Sequence, residues 1–172
     1  MYVAMKIDLQ VITKNDAASI YNSWGSNPDN FMYLRAVPQK SLQDAQVYLD
    51  KLLVGENLAF HIVDPSTKSI VGHIKAIIEE HKALVGYVID QKYWGQGVAS
   101  QALEKMLETL SAMPNIIRVW ATCAVENTGS IRVLEKCGFE KEGLLKKWIV
   151  YQMQSDEPQD NFSFSYVFQN DK

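Results

Sequence analysis

Short runs in which hydrophobic and polar positions alternate, or in which β-branched residues cluster, predict seven β-strands in this chain. In the first run, Ile7, Leu9 and Val11 alternate with polar residues, as in a strand with one buried face. Six further runs cover residues 58–63, 70–78, 83–89, 116–123, 139–153 and 161–168. Short polar turns join the second, third and fourth runs, which favours antiparallel pairing between neighbours.

Two helices are predicted between the first and second strands. Thr13 followed by Asp16 indicates the start of a short helix, and Gly25 with the Asn27-Pro28 pair indicates its end. A second capping box and a stripe of apolar residues predict the next helix. The box is Ser41 with Asp44, the stripe is Leu42, Ala45, Leu49, Leu52 and Leu53, and Gly55 follows the helix end.

Two more helices complete the pattern. One carries an apolar stripe on one face, formed by Val98, Ala99, Ala102, Leu103, Met106, Leu107 and Leu110. The other runs from Thr128 to Cys137 and stops at Gly138. The order β-α-α-β-β-β-α-β-α-β-β predicts an α/β (α+β) fold with one mixed sheet and helices on its faces.

Composition narrows the class of protein. The 172 residues are enough for one domain with a proper core, and the net charge of −3 gives no sign of a nucleic-acid-binding surface. Cys123 and Cys137 lack the spacing of a metal site or a disulfide framework, which favours a reducing cytoplasm and no bound metal. We also find no apolar run of the ~18–20 residues that a membrane span needs and no signal-peptide pattern at the start.

A glycine-rich segment between the strand at 83–89 and the third helix is the strongest chemical feature. Its sequence is Tyr93-Trp94-Gly95-Gln96-Gly97-Val98-Ala99-Ser100. A strand-to-helix turn of this kind presents several backbone N–H groups to one spot, and the helix dipole favours negative charge there. The segment therefore predicts a socket for a phosphate or pyrophosphate.

Other uses of such a turn are less consistent with the sequence. A P-loop requires a Gly-Lys-Ser/Thr sequence at the helix start, and Gln96-Gly97-Val98 offers no such lysine. A dinucleotide-binding fold requires a third glycine where Ser100 stands, in an opening βαβ unit, whereas this turn follows three consecutive strands. The glycines alone leave open a tight turn that binds nothing.

A second segment, directly after the next strand, decides between these alternatives. It reads Asn127-Thr128-Gly129-Ser130-Ile131-Arg132-Val133-Leu134-Glu135-Lys136-Cys137-Gly138-Phe139. With both segments at this separation, the chain resembles the GNAT superfamily of acetyl-CoA-dependent N-acetyltransferases. Within it, the Trp-Gly-Gln-Gly form of the loop is similar to the Rim-type branch of ribosomal-protein N-terminal acetyltransferases, although the superfamily commonly has Gln or Arg at the position of Trp94.

The resemblance implies a fold and a set of cofactor contacts. It implies a single domain over residues 1–172 with a mixed, mostly antiparallel sheet of about seven strands, helices on both faces, and a V-shaped splay next to a bulge at Gly86. The backbone of Tyr87, Val88 and Ile89 would pair with the pantetheine arm of acetyl-CoA, as a peptide pairs with a sheet edge. The backbone of the loop would bind the pyrophosphate; its residues are Trp94, Gly95, Gln96, Gly97, Val98, Ala99 and Ser100. Asn127 would contact the cofactor near the pantetheine, although a turn or cap role is also open.

The catalytic residues implied by the resemblance are Ser130 and Glu142. Transfer of an acetyl group to an amine releases a thiolate, which needs a hydrogen-bond or proton donor. Many GNAT enzymes use a tyrosine at the position that Leu134 occupies here, whereas the Rim-type branch uses the serine that matches Ser130. A simple helix-cap role for Ser130 remains the alternative.

The general base is less clearly indicated. The glutamate that related enzymes place late in the following strand falls on Ile149, which cannot accept a proton. Glu142 matches a common glutamate of the branch, with a plain charge at a strand edge as its alternative. We interpret His61 and His73 as structural, and if the amine loses its proton to solvent no base is needed.

Several side chains have secondary expectations. Arg132 or Lys136 could meet the adenosine phosphate of the cofactor. The resemblance places one wall of the acceptor site in the region of four aromatic residues, Trp24, Phe31, Tyr33 and Tyr48, which are otherwise core residues. The acidic loop at 156–160 could attract a cationic amine, or could simply be solvated.

The sequence therefore predicts an N-acetyltransferase that moves an acetyl group from acetyl-CoA to a primary amine by direct transfer. The acceptor would be a protein N-terminus, a polyamine or a small-molecule amine. Neither a nucleic acid nor a membrane is an expected partner, and a homodimer is compatible with this interpretation. The missing tyrosine at 134 and the missing glutamate at 149 leave an alternative, a catalytically silent acetyl-CoA-binding sensor or interaction module.

Overall fold

Seven strands form one sheet in the structure, a computed structural model that describes residues 5–169. The strands are β1 (Asp8–Val11), β2 (Leu58–Val63), β3 (Ile70–Glu79), β4 (Lys82–Ile89), β5 (Arg118–Ala124), β6 (Glu140–Ile149) and β7 (Gln159–Val167). Their spatial order is β1-β2-β3-β4-β5-β7-β6, and every neighbouring pair is antiparallel except β4 and β5, which are parallel. The mixed, mostly antiparallel sheet is therefore confirmed.

Helices cover both faces of this sheet. They are α1 (Ala17–Ile20), which continues as a π-helical turn (Tyr21–Gly25), α2 (Leu42–Leu52), α3 (Val98–Ser111) and α4 (Thr128–Lys136). Two 3₁₀ turns, Pro28–Phe31 and Gln91–Tyr93, complete the helical segments.

Each face of the sheet has its own hydrophobic core. On the side of α3 and α4, fully buried residues such as Leu103, Met106 and Phe164 pack together. On the side of α1 and α2, a second cluster includes Trp24, Phe31 and Leu49, which pack together with Val88 of β4. Burying one such large apolar side chain contributes about 1.5–3 kcal/mol, so each helix pair is fixed mainly by its apolar stripe.

β4 and β5 part soon after they meet, and this opening positions the site. They pair only from Lys82–Arg118 to Leu84–Trp120, after which β4 continues to Ile89 with no partner on that edge among the described residues. β5 instead remains paired with β7 along its whole length. The V-shaped splay is therefore present.

The splay does not need the bulge that we expected at Gly86. The register between β3 and β4 runs without a shift from Gly72–Ile89 to Glu79–Lys82, with Gly86 opposite Lys75. A Cβ atom at Gly86 would meet only the Cε atom of Lys75, at 3.6 Å. The opening arises because β5 leaves β4 to follow β7, and not from a distortion of the β3–β4 ladder.

The main differences from the sequence predictions concern the start of α1, the burial of Leu42 and the end of β6. α1 begins at Ala17, because the backbone N–H and hydroxyl of Thr13 both donate to the Asp16 carboxylate in a turn that precedes the helix (2.6 and 2.9 Å). Leu42, placed on the buried stripe of α2, is 53% exposed at the first position of that helix. β6 ends at Ile149 and not at residue 153, shortly after Lys147 adopts a left-handed φ of 48°.

Candidate active site

The glycine-rich segment forms a tight turn between β4 and α3. Gly95 and Gly97 have φ angles of 73° and 76°, in the left-handed region that residues with a side chain rarely adopt. Gly97 is the N-cap of α3, and no side chain caps this helix start. The first helical hydrogen bond runs from the N–H of Gln101 to the carbonyl of Gly97 (3.2 Å). The N–H groups in the first turn, which includes Val98 and Ala99, therefore have no partner inside the helix and can bind an anion.

Trp94 fixes this turn to the end of β4. Its indole N–H donates to the carbonyl of Ile89 (2.8 Å), and its ring is 52% exposed beside the turn. The Gln96 side chain folds away from the opening and donates to the carbonyl of Lys92 (3.0 Å). The turn is therefore held by two side chains, one of which also lines the cleft.

A cavity of about 680 Å³ lies in the opening between β4 and β5. It is lined by residues from both faces of β4, including Tyr87 and Val88, and by the glycine turn and the start of α4. The cleft therefore passes through the sheet. Of the residues predicted to bind the cofactor, all except Gln96 line it.

The free edge of β4 presents backbone groups to this cleft. The N–H of Asp90 donates to the carbonyl of Val71 on β3 (2.8 Å), and backbone direction alternates along an antiparallel strand. Val88, paired opposite His73, therefore directs its backbone groups to β3. The backbone groups of Tyr87 and Ile89 face the cleft, where Trp94 already uses the carbonyl of Ile89. Of the three residues expected to pair with the cofactor, only Tyr87 and Ile89 direct backbone groups to the cleft. Val88 lines the cleft but directs its backbone groups to β3.

Ser130 lies on the opposite wall, in the first turn of α4. Asn127 is the N-cap of this helix, and its side-chain oxygen accepts a hydrogen bond from the backbone N–H of Ser130 (3.1 Å). The Ser130 Oγ atom lies 2.8 Å from the hydroxyl oxygen of Tyr87, which reaches across from β4. Burial raises the pKa of the Tyr87 phenol, and its hydrogen bond to Ser130 opposes this only in part. Leu134, at the position where many relatives have a tyrosine, is 1% exposed in the core.

Glu142 is not brought to the cleft. It lies on β6, where both carboxylate oxygens accept hydrogen bonds from the Arg118 guanidinium and one also accepts from the Ser165 hydroxyl (2.7 Å). The Arg118 hydrogen bonds, with the one from Ser165, lower the pKa of the Glu142 carboxyl. Both its position outside the cleft and its lowered pKa argue against a role as the general base.

The wall of the cleft that is expected to receive the acceptor is formed by a segment that the sequence singled out only in part. Asp29, Met32, Tyr33 and Leu34 line the cavity there, and of the four aromatic residues expected at this wall only Tyr33 does so. The loop after β6 closes on this segment, because the ring of Tyr151 packs edge-on against Tyr33 at 6.2 Å.

The remaining aromatic residues of this region are structural. Trp24 stacks on His73 with ring centroids 4.5 Å apart, and the hydroxyl of Tyr48 lies 3.0 Å from Nε2 of the same histidine. Burial lowers the pKa of His73 well below its usual value, and burial also lowers that of His61. Neither histidine lines the cleft, in agreement with our interpretation of both as core residues.

The cleft contains further charged and polar groups that the sequence analysis either did not identify or could not choose between. Arg132 lines the cleft and Lys136 does not, so only the first is placed to meet an anionic cofactor. Glu126 and Cys123 also line it, and burial raises the pKa of the Cys123 thiol to about 11. The alternation of side chains along β5 was the available sign that Cys123 and Ala121 share a face.

A second cavity of about 750 Å³ lies between the end of α3, the segment before β5, the start of β6 and the end of β7. Its lining includes Pro114, Gly138 and Tyr166 and none of the residues predicted to bind cofactor or to act in catalysis. None of its lining residues lies in the first turn of a helix, where free N–H groups could bind a phosphate. The cleft between β4 and β5 is therefore the candidate active site, although it is slightly smaller.

Across residues 5–169, no helix is both long and apolar enough to cross a membrane. In the same part of the chain, no group of three or more His, Cys, Asp or Glu side chains is arranged to hold a metal ion.

Comparison with known proteins identifies the class of this site. A family model described as an acetyltransferase (GNAT) domain matches residues 6–140, most of the chain. The protein belongs to the GNAT family. It is therefore an N-acetyltransferase, the enzyme class expected from the two sequence segments.

Individual relatives agree with this assignment. The uncharacterized N-acetyltransferase p20 of Bacillus licheniformis is 29% identical over 150 residues, which cover 83% of this chain and 84% of that protein. The ribosomal protein uS5-alanine N-acetyltransferase of Escherichia coli is 30% identical over 100 residues, which cover 56% of this chain and 52% of that protein. The solved structure of RimL, a ribosomal L7/L12 α-N-protein acetyltransferase in complex with coenzyme A, has a TM-score of 0.84 at 19% identity and covers 96% of each chain. Membership of the GNAT family is thus confirmed, and the similarity to the uS5-alanine N-acetyltransferase is consistent with a resemblance to the Rim-type branch.

Proposed function

We propose that this protein transfers an acetyl group from acetyl-CoA to a primary amine by direct transfer in a ternary complex. The observation that carries the proposal is the cleft itself. It joins the uncapped N-terminus of α3 to the free edge of β4 and continues through the sheet to the segment around Tyr33. Such a cleft has room for a phosphorylated donor on one side and an acceptor on the other.

The turn and the strand edge would hold the donor. The free N–H groups at the start of α3 bind the pyrophosphate, and Arg132 at the rim adds positive charge. The backbone of Tyr87 and Ile89 pairs with the pantetheine arm as an added strand. Asn127 fixes the start of α4 and so holds Ser130 near the thioester. The RimL structure with coenzyme A shares this fold, which supports the placement.

The chemical step requires little from side chains. The neutral amine attacks the thioester carbon, a C–N bond forms and the C–S bond breaks with its electron pair on sulfur. A backbone N–H of β4 at the cleft edge stabilises the carbonyl oxygen, and the Ser130 hydroxyl donates a hydrogen bond to the departing sulfur. The amine gives its proton to water, and the thiolate takes a proton from water when it leaves.

The acceptor is a primary amine of a protein N-terminus, a polyamine or a small molecule. The opening on the acceptor side is bordered by Met32, Tyr33 and Leu34, with the carboxylate of Asp29 at its edge. The E. coli relative acts on the alanine of a ribosomal protein, which makes a peptide N-terminus the first candidate to test.

A thiol-release assay with acetyl-CoA and a panel of amines tests the proposal. The panel contains short peptides with free N-terminal alanine or serine, the polyamine spermine, and free amino acids. We expect at least one amine to raise thiol release far above the rate in its absence, with a mass gain of one acetyl group on the acceptor. Thermal stabilisation by acetyl-CoA without release from any acceptor would contradict the proposal and favour the silent binding module. Neither stabilisation nor release would contradict both.

A further inference from the structure

The side chain of Tyr87 makes a contact that its expected role does not explain. A backbone role in holding the cofactor needs no particular side chain at position 87. Yet the phenol crosses the cleft from β4 and brings its oxygen within 2.8 Å of Ser130 Oγ on α4. Both residues line the cleft, so the two hydroxyl groups lie together on the wall where the resemblance places the thioester.

The chemistry of the pair indicates which hydroxyl donates to which. A serine hydroxyl carries one hydrogen and can also accept, whereas a buried phenol that keeps its proton is a strong donor. Burial raises the pKa of Tyr87, which favours the protonated phenol as a hydrogen-bond donor. When the Tyr87 hydroxyl donates to Ser130 Oγ, the Ser130 hydrogen is free to point elsewhere, and the bond that it forms is strengthened by polarisation along the chain.

We propose that Tyr87 is a positioning residue, whose hydroxyl donates to Ser130 Oγ and so directs the Ser130 hydroxyl at the sulfur that leaves. This inference rests on the proposed function. It gives a role to a phenol that comes from a strand, in a protein where the tyrosine position on α4 is occupied by the buried Leu134. No proton leaves either residue. The Tyr87 hydroxyl donates a hydrogen bond to Ser130 Oγ, and the Ser130 hydroxyl donates one to the departing sulfur while the C–S bond breaks.

The test is a double-mutant cycle on Tyr87→Phe and Ser130→Ala, with steady-state thiol release as the measurement. Tyr87→Phe keeps the ring and the backbone edge, so KM for acetyl-CoA should stay within twofold. We expect kcat to fall about fivefold to tenfold, the effect of one lost hydrogen bond. Ser130→Ala should lower kcat about a hundredfold, as the loss of one donor to a developing negative charge does.

The decisive variant combines the two changes. If Tyr87 acts through Ser130, then adding Tyr87→Phe to Ser130→Ala should lower kcat by less than twofold. Tyr166→Phe is the matched control, because this partly buried tyrosine of β7 packs against Phe139 and Phe168, away from the cleft. Its kcat should equal that of the unmodified protein, and its melting temperature shows what loss of a tyrosine hydroxyl alone does to stability.

Three results would overturn the inference. If Tyr87→Phe lowered kcat by the same factor in the unmodified protein and in the Ser130→Ala variant, the two residues would act independently. A larger loss from Tyr87→Phe than from Ser130→Ala would make the phenol itself the donor to sulfur. A fall in kcat that matches a fall in melting temperature would reduce the contact to a structural one. If the unmodified protein released no thiol with any amine, the proposed function would fail first and this inference with it.

Discussion

Glu142 shows how a single residue can match a family position and still have another task. Its carboxylate accepts hydrogen bonds from Arg118 and Ser165 at the junction of β5, β6 and β7. Side chains from three strands meet there, and 39% of the Glu142 side chain remains exposed. We therefore expect it to support the sheet edge modestly, since partly exposed ion pairs contribute little.

Glu142→Gln tests this role. Its kcat for thiol release should stay within twofold of the unmodified protein, because the carboxylate is not in the cleft. The lowered pKa of Glu142 means that its contribution to folding is present above the usual glutamate pKa of about 4.3 and is lost as pH falls through the lowered value. Urea unfolding at pH 7 should thus show a lower free energy of unfolding for the variant, and the difference should shrink as pH falls below the usual glutamate pKa. A large fall in kcat with unchanged stability would instead make Glu142 the base.

Gly95 and Gly97 illustrate what residue-level patterns can predict. Both adopt left-handed backbone conformations, as a glycine-rich turn before a helix requires, so the turn was predictable from local sequence. The contact between Tyr87 and Ser130 was not, because it joins residues 43 positions apart. Alternation along β4 could place Tyr87 on the same face as Val85 and Ile89, but not next to a particular residue of α4.

At the scale of elements, the start of α4 couples stability to the site. Asn127 caps the helix through the backbone N–H of Ser130, the same residue that we place at the leaving sulfur. Ser41 caps α2 in the same way, through the N–H of Asp44 (3.2 Å), and this cap lies away from the cleft. The two caps form a natural pair for comparison.

Asn127→Ala and Ser41→Ala should each lower the free energy of unfolding by about 1 kcal/mol, the usual value of an N-cap. Only Asn127→Ala should also raise KM for acetyl-CoA or lower kcat, by severalfold, because it releases the backbone that carries Ser130. Chemical denaturation and thiol-release kinetics on both variants provide the measurement. If Asn127→Ala lost stability but kept both kinetic constants, its role would be that of a cap alone.

Element boundaries followed the sequence where local chemistry sets them. The cap of α2 and the glycine that ends α4 were predicted from short-range signals, and the structure has both. The π-helical turn after α1 and the early end of β6 were not predicted, because they depend on packing against distant strands and loops. Apolar periodicity describes which face is buried, not where a helix changes its hydrogen-bond pattern.

At the scale of the whole molecule, the active site exists because two strands part. Sequence periodicity could predict each strand but not the splay, because the splay depends on β5 pairing with β7, about 40 residues later in the chain. The resemblance to the GNAT superfamily supplied that feature, and the pairing of β4 with β5, which stops at Leu84 and Trp120, confirms it. The acceptor, a homodimer and a cytoplasmic location stay predictions.

Binding of acetyl-CoA by isothermal titration calorimetry tests the central claim most directly. We would compare the unmodified protein with Gly97→Glu and with Gly55→Glu. Gly55 has a φ of 65° and open space around it, so the control variant introduces the same strain and charge away from the cleft. The unmodified protein and Gly55→Glu should bind acetyl-CoA with the same Kd within twofold. Gly97→Glu, with a carboxylate at the phosphate socket, should raise Kd at least a hundredfold. Equal binding by Gly97→Glu, or no binding by the unmodified protein, would contradict the assignment of this turn as the cofactor site.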